Sequence, residues 1–174
     1  PVVTIGASTT AMYSVTMKMA RDKEGYVFQG FWKSFKENFK QATIIWIILL
    51  IVGTVLGTDI YYFYHSTSKY AKFGLAAMIA LSSLALCTAA YIFPLQAQFE
   101  NSIKQTIKNA FIMCVRHLPW TVLLLAIYVA AAICLYITAF LVGIVIFGLA
   151  AFITSFIYNK IFIRYIPDEM KNEY

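Results

Sequence analysis

The uncharged run in the C-terminal half constrains this chain more than any other feature. Between Arg116 and Lys160 lie 43 residues without Asp, Glu, Lys or Arg. As a single helix this run would be about 65 Å long, which is about twice the thickness of the apolar core of a bilayer. It must therefore fold back on itself. We predict a membrane hairpin with its turn at Thr138 to Gly143, Pro119 in the first turn of its first helix, and an end near Phe162.

Two further uncharged runs predict a second pair of membrane helices. The first has 18 residues after Lys40, and the second has 27 residues after Lys72. We expect the second of these helices to extend from about Phe73 to Gln98. Pro94 lies near its far end and should kink the helix or open its last turn, which frees a backbone carbonyl.

Composition and charge agree with this assignment. The chain is 61% hydrophobic and only 13% charged, so we predict an all-α polytopic transmembrane bundle that forms a single membrane domain over residues 1–174. The net charge of +6 flanks the apolar runs, which is typical of a topology signal and predicts contact with the lipid bilayer rather than with nucleic acid. The three cysteines, Cys87, Cys114 and Cys134, have no metal-ligand spacing and are interpreted as reduced and structural.

The N-terminal segment leaves two alternatives open. Pro1 to Met17 is uncharged and rich in small and hydroxyl residues, but Thr4 to Met19 would cover only roughly 24 Å as a helix. One interpretation is a membrane helix within residues 1–23, packed among the others with its hydroxyl groups bonded inside the bundle. The other is an interfacial or re-entrant segment. We favour the first.

A twelve-residue motif occurs twice. Phe31 to Ala42 reads F-W-K-S-F-K-E-N-F-K-Q-A, and Phe99 to Ala110 reads F-E-N-S-I-K-Q-T-I-K-N-A. Apolar residues recur every four positions with lysines on the other face, which predicts an amphipathic helix. Each copy precedes apolar sequence, so we predict two units of amphipathic helix plus hairpin, at 24–98 and 99–163, followed by a tail at 164–174.

The motif has two interpretations, which we weigh equally. It could dock a partner subunit or an anionic lipid headgroup, or it could lie on its own bundle and connect the hairpins. The residues that would dock are Phe31, Trp32, Lys33, Phe35, Lys36, Phe39 and Lys40 in the first copy and Phe99, Ile103, Lys104, Ile107 and Lys108 in the second.

Basic residues also predict the orientation. Six of them lie between Lys18 and Lys40, whereas the loop between Asp59 and Lys72 has few. Because short cytoplasmic loops carry an excess of Lys and Arg, we expect both motif copies and the C-terminus in the cytoplasm and that loop outside.

Small residues predict where helices pack. Gly53 and Gly57 form a G-x-x-x-G pair, which lets another helix approach closely. We favour packing within the chain over a dimer interface for this pair. Ala76 and Ala80 form a second small-residue face, and both faces are candidates for packing against another membrane protein.

An aromatic cluster is predicted at the outer surface. Its members are Asp59, Tyr61, Tyr62, Tyr64 and His65, with Tyr70 and Tyr136 possible additions. Such a group could stack on a sugar and hydrogen-bond its hydroxyls. An interfacial belt of aromatic rings at headgroup depth is the interpretation that we favour.

The sequence offers little chemistry. No charged residue lies well inside a predicted membrane helix, which argues against an ion-coupled carrier. No phosphate-binding loop or Cys/His cluster is present, and His65 and His117 fall at opposite predicted boundaries. We therefore predict no catalytic residues, no cofactor and no metal, and expect a protein that is not an enzyme.

Several stretches together resemble the YesL family, small bacterial integral membrane proteins of unknown function. They are P-V-V-T-I-G-A-S-T-T-A-M-Y at Pro1 to Tyr13, K-M-x-R-D-x-E-G-Y-x-F at Lys18 to Phe28, S-F-K-x-N-F-K-Q-A-T at Ser34 to Thr43, and F-E-N-S-I-K at Phe99 to Lys104. The resemblance covers the first half of the chain and the second motif copy.

The resemblance implies a bacterial plasma membrane, a further helix before Pro1, and association with carbohydrate uptake through ABC-type sugar permeases. It carries over no catalytic residue. Our leading hypothesis is a non-enzymatic accessory subunit of a carbohydrate ABC importer, with permease subunits and their ATPase as partners. The alternative is a self-assembling channel or facilitator for a small neutral solute.

Overall fold

The structure is a computed structural model that describes residues 4–21, 26–137 and 143–166. Within these ranges the regular elements are all helical. The α-helices are α1 (Ile5–Met19), α2 (Val27–His65), α3 (Ala71–Gln98), α4 (Ile103–Arg116), α5 (Leu118–Ile137) and α6 (Gly143–Phe162), and a short 3-10 helix follows at Ile163–Tyr165.

Four of the helices are long and apolar enough to cross a membrane, which confirms the prediction of a multi-pass helical protein. They are α2, α3, α5, and α6 with the 3-10 turn that follows it. Pro119 lies in the first turn of α5, and α6 ends at Phe162, both as expected. The predicted turn at Thr138 to Gly143 lies outside the described residues except for Gly143, where α6 begins. Most of the predicted tail at 164–174 also lies outside them.

Helix α1 lies inside the bundle, packed against α2, α3 and α6. Ala7, Ala11 and Met17 are fully buried. The crossing with α2 is close, because a Cβ added at Gly6 would lie 2.5 Å from the backbone oxygen of Ala42. This placement agrees with the buried-helix interpretation of the N-terminal segment. With 15 residues, α1 is about 22 Å long.

The first motif copy departs from the prediction of an amphipathic helix followed by a separate membrane helix. Helix α2 is continuous over 39 residues, from Val27 to His65, and so contains both. No Pro or Gly lies between Phe31 and Gly53 to interrupt it, and each of those residues can hold helical dihedral angles.

The second motif copy does end at a break. Helix α4 stops at Arg116, and His117 leaves the helical region with φ −115° and ψ 42° before α5 begins at Leu118. Pro119 explains the position of this break. It has no N–H to continue the α4 hydrogen-bond pattern, and its ring would clash with the carbonyl four residues earlier.

Helix α6 contributes most to the core. In the most apolar 18-residue window of α6, 44% of the residues are buried. In the corresponding window of α2, 6% are buried. Tyr158 and Phe162 of α6 are fully buried and pack with Tyr91 of α3 in the largest apolar cluster. The windows of α3 and α5 are 17% and 11% buried, so α2, α3 and α5 all leave most of their apolar surface open.

Pro94 has the predicted effect on the backbone of α3. Because Pro94 cannot donate a hydrogen bond, the carbonyl of Ala90 lacks its usual helical partner. The hydroxyl of Tyr158 donates to that carbonyl at 2.7 Å. A side chain of α6 thus satisfies the group that the proline leaves open, and this ties α6 to α3.

Candidate functional site

A groove opens on the side of the bundle between α2 and α3, and we call it the lateral groove. It has a volume of about 380 Å³. Its walls are almost entirely apolar. From α2 they comprise Trp46, Leu49, Val52, Gly53, Leu56, Gly57 and Ile60, and from α3 they comprise Ser82, Ala85, Leu86, Ala89 and Phe93.

Gly53 and Gly57 leave the wall of the lateral groove open. A Cβ added at either position would meet no atom within 4 Å. Gly74 differs, because a Cβ there would overlap the ring of Phe63. The G-x-x-x-G pair therefore has no close helix partner within the described chain, and the packing role that we favoured for it has no contact to support it. Its open face is available to another membrane segment.

Ser82 places a polar atom in this apolar setting. Its hydroxyl oxygen is buried and has no hydrogen-bond partner among the described residues. The neighbouring Ser83 donates to the Ile79 oxygen at 2.8 Å, and Thr88 donates to the Leu84 oxygen at 2.8 Å. A hydroxyl left without a partner in an apolar environment raises the free energy of the folded state. A partner helix in the groove could satisfy it.

Two pairs of small residues lie on α3, and only one of them lines the lateral groove. Ala76 and Ala80 are exposed and lie outside the groove. Ala85 and Ala89 line it instead, and they have the same four-residue spacing. The packing of Ala76 and Ala80 against another membrane protein stays a prediction.

The first motif copy presents its aromatic side chains on the surface. Trp32 and Phe39 are 48% and 39% exposed. The ring of Phe35 stacks on Trp32 and Phe31, with centroids 5.5 Å and 6.2 Å apart, and meets Phe39 edge to face at 5.4 Å. The side of the helix that packs inward is a different one, formed by Ser34, Ala42 and Ile45.

The lysines of the first copy lie beside these rings. The ammonium of Lys36 lies 5.6 Å from the centre of the Trp32 ring, and Lys33 approaches Glu37 at 4.0 Å with both side chains exposed. Lys40 is also exposed. Surface aromatic rings with cations between them fit the docking interpretation for this copy.

The second motif copy packs its apolar stripe against the bundle. The Phe99 ring lies 5.5 Å from that of Phe162, and Ile103 and Ile107 also pack against the core cluster. Lys104 and Lys108 remain exposed. The connector interpretation therefore fits this copy better than docking does.

The outer aromatic cluster does not converge on a common point. Tyr61, Tyr62 and Tyr64 are 68%, 67% and 72% exposed. The ring of His65 contacts those of Tyr61 and Tyr64, with centroids 4.5 Å and 5.2 Å apart. Tyr62 points to another side of the helix, because successive residues on a helix point about 100° apart. Asp59, which lies about one turn before Tyr62 in the same helix, is half-buried. Exposed rings around the end of a helix fit an interfacial belt better than a sugar site.

Sequence reasoning missed one polar cluster at the other end of the bundle. The ring of His117 is buried, and its Nε2 lies 2.9 Å from the Tyr165 hydroxyl. The Arg116 guanidinium lies 5.8 Å from the centre of the Tyr165 ring. Burial, followed by the positive charges of Arg164 and Arg116, lowers the pKa of His117 below its ordinary value of 6.5.

Metal chemistry has no visible basis in the part of the chain that the structure describes. No group of three or more His, Cys, Asp or Glu residues there is placed to hold a metal ion. No disulfide joins Cys87, Cys114 and Cys134 in the described residues.

The chain is similar to a protein family of unknown function. Residues 1–60 match a family described as "Protein of unknown function, DUF624". The chain is 26% identical over 141 residues to the uncharacterized protein YteU of Bacillus subtilis (strain 168), an alignment that covers 80% of this chain and 62% of YteU. No solved structure matches. Both similarities are compatible with the resemblance to the YesL family.

Proposed function

We propose that this protein is a non-enzymatic accessory subunit of a membrane complex and that it joins its partner through the lateral groove. The observation that carries the proposal is the open pair Gly53 and Gly57, at which a Cβ would meet nothing within 4 Å. Helices in lipid associate through close packing of small residues and through hydrogen bonds between helices. The groove offers both, because Ser82 adds a hydroxyl that has no partner in the described chain.

The identity of the partner rests on the family resemblance. That resemblance supports a carbohydrate ABC importer, with its permease subunits nearest to the groove. The excess of basic residues around the first motif copy supports a cytoplasmic position for that copy and for the C-terminus. The return of the motif before the second hairpin supports a duplicated plan of helix plus hairpin in parallel orientation.

The alternative of a solute channel draws no support from the described interior. The hydroxyls of Tyr13 and Tyr128 lie 2.6 Å apart, and those of Tyr128 and Tyr158 lie 2.9 Å apart. Tyr13 and Tyr158 are 4% and 0% exposed. These hydroxyl groups bond to one another between α1, α5 and α6 instead of lining a polar path.

Co-purification with a groove variant tests the proposal. Gly53→Leu combined with Gly57→Leu fills the lateral groove, and the space around both glycines predicts that the chain still folds. The natural and variant proteins would be recovered from their native membrane in mild detergent, and accompanying proteins would be identified by mass spectrometry. We expect the natural chain to bring a sugar permease pair and its ATPase in stoichiometric amounts, and the variant to lose them.

Gly148→Leu is the matched control. A Cβ at Gly148 in α6 also meets nothing within 4 Å, but this residue lies outside the groove, so its variant should retain the partners. Equal recovery with the groove variant would contradict docking through the groove. Recovery of the natural chain alone, as a defined oligomer, would overturn the accessory role and make solute flux in reconstituted vesicles the next question.

A further inference from the structure

A polar cavity lies between the C-terminal ends of α1 and α3 and the beginning of α2, and we call it the basic-end cavity. Its volume is about 750 Å³, and its wall is mostly polar. It is separate from the lateral groove and shares no lining residue with it. The residues used below are three cations, two carboxylates and one amide, namely Lys18, Arg21, Lys33, Glu37, Glu100 and Gln96.

Gln96 is the unusual member of this wall. The residue is only 5% exposed, and neither its amide oxygen nor its amide nitrogen has a hydrogen-bond partner among the described residues. Buried amides are almost always hydrogen-bonded, because an unsatisfied one costs free energy. An amide offers a donor and an acceptor side by side. A hydroxyl group of a ligand can satisfy both.

The cations indicate an anionic group in the same ligand. Arg21 is held at the cavity by two bonds, from its Nε to the Met17 oxygen and from its Nη2 to Gln98 Oε1, each 3.0 Å long. Lys18 lies one turn earlier at the end of α1 and also lines the cavity. Arginine and lysine side chains together are typical of phosphate binding.

The two carboxylates of the wall limit further which class of ligand the cavity can bind. Glu37 and Glu100 would repel a bare anion, but carboxylates accept hydrogen bonds from hydroxyl groups. Glu37 also has Lys33 at 4.0 Å, so part of its charge is balanced within the wall. A ligand that combines one phosphate with hydroxyl groups would meet the cations, the carboxylates and the Gln96 amide at once.

We propose that the basic-end cavity binds a phosphate ester that carries adjacent hydroxyl groups, with its phosphate at Lys18 and Arg21 and a hydroxyl at Gln96. Glycerol phosphate is the simplest group of this kind. It has two sources, the headgroup of phosphatidylglycerol and a soluble glycerol phosphate. The proposal does not depend on the lateral groove or on the identity of any protein partner.

Thermal unfolding of the full chain in detergent tests this with defined probes. Phosphatidylglycerol, phosphatidylethanolamine, phosphatidylcholine and sn-glycerol 3-phosphate would each be titrated, and the shift in Tm would give an apparent affinity. We expect phosphatidylglycerol to bind about tenfold more tightly than the other two lipids, as one or two additional hydrogen bonds predict. Stabilisation by sn-glycerol 3-phosphate as well would assign the soluble source, and its absence would assign the lipid.

Three variants locate the binding. Gln96→Leu should weaken phosphatidylglycerol binding about tenfold, and it should raise the Tm of the lipid-free protein because the unsatisfied amide is gone. Lys18→Gln should weaken phosphatidylglycerol binding by a similar factor. This variant still tests the proposal if Gln96→Leu does not fold. Lys69→Gln removes an exposed cation outside the cavity and should bind like the natural chain. Equal affinity for the three lipids, no binding of any probe, or unchanged binding by Gln96→Leu or Lys18→Gln would overturn the proposal.

Discussion

The two copies of the motif share five of their twelve residues, but their apolar side chains pack differently. Phe31 begins the first copy, is half-buried, and contacts the ring of Phe35 outside the core cluster. Phe99 begins the second copy, and its ring packs on the fully buried Phe162. The two copies agree at their polar positions, where the aligned lysines are exposed, and at Ala42 and the aligned Ala110, which are both 0% exposed. A shared motif therefore predicts which residue packs closest to the bundle, but not what covers the rest of the helix.

The residues that follow each motif explain the difference. Continuing the alignment, Ile51 of the first copy corresponds to Pro119 of the second, and Gly53 corresponds to Thr121. Pro119 breaks the second copy from its membrane helix and turns α4 onto the bundle, while α2 runs on without interruption. Two residues further along each copy, Gly53 is open to the groove, whereas Thr121 is 1% exposed. The helix that follows the first copy therefore has an open face at Gly53, whereas the helix that follows the second copy packs against the core at Thr121.

The largest effect is expected from the aligned phenylalanines. Phe99→Ala removes a ring that packs on the core and should lower the free energy of unfolding by about 2 kcal/mol. Phe31→Ala removes a half-buried ring that stacks on Phe35 and does not pack on the core cluster, and it should cost about 1 kcal/mol or less. Reversible unfolding in mixed detergent micelles would measure both. Equal losses would mean that the two copies occupy equivalent environments, against the comparison made above.

The next effect concerns the pair Gly53 and Thr121. The Thr121 hydroxyl donates to the backbone oxygens of Cys114 and His117 at 3.0 and 3.1 Å and lies 2.9 Å from the hydroxyl of Tyr91. Thr121→Val keeps the shape but loses these bonds, so we expect a loss of about 1 to 2 kcal/mol.

The reciprocal change, Gly53→Thr, supplies the control for this pair. It places the same residue type at the open position, and it should change stability by less than about 0.5 kcal/mol. A large loss from Gly53→Thr would show that the groove is filled by the chain itself. The same unfolding experiment decides between these outcomes.

The smallest effect is a pH dependence at His117, which aligns with Leu49 of the first copy. Its pKa in the folded protein lies below the ordinary value of 6.5. Above about pH 6.5 both states are neutral at this residue, and the folded state has its full stability. As the pH falls through 6.5 the unfolded chain takes up the proton first, so stability decreases. His117→Leu should flatten this part of the profile of unfolding free energy against pH.

A second histidine provides the control for the pH profile. His65→Leu changes an exposed residue at the opposite end of the bundle, and the decrease below pH 6.5 should persist in that variant. If His65→Leu removes the decrease and His117→Leu does not, the buried contact of His117 with Tyr165 is not its cause.

The course of the membrane helices could be predicted from the sequence because it depends on runs of uncharged residues. Leu118–Ile137 and Gly143–Phe162 follow directly from a run too long for one crossing. Pro94 similarly predicted a freed carbonyl, since its effect on the backbone is local. The partner of that carbonyl, Tyr158, could not be predicted, because it lies on a helix distant in the sequence.

The candidate sites depend on long-range packing, and here the sequence was a weaker guide. It identified Gly53 and Gly57 but not the open space around them, which depends on how far apart α2 and α3 lie. It also gave Gln96 no special status, since that side chain loses its solvent only when α1 and α2 pack beside it. Amphipathic periodicity predicted one surface for both motif copies. Whether each apolar stripe meets lipid, partner or core is decided by the neighbouring helices.

Photocrosslinking in the native membrane would test the central claim most directly, namely that α2 presents an outward docking face at the lateral groove. A photoreactive amino acid would be placed at Gly53, and at Gly148 as the control, without removing the protein from its membrane. The account predicts a single adduct with a different membrane protein from position 53 and none from position 148. Adducts that are the same from both positions, or no protein adduct from position 53, would contradict it.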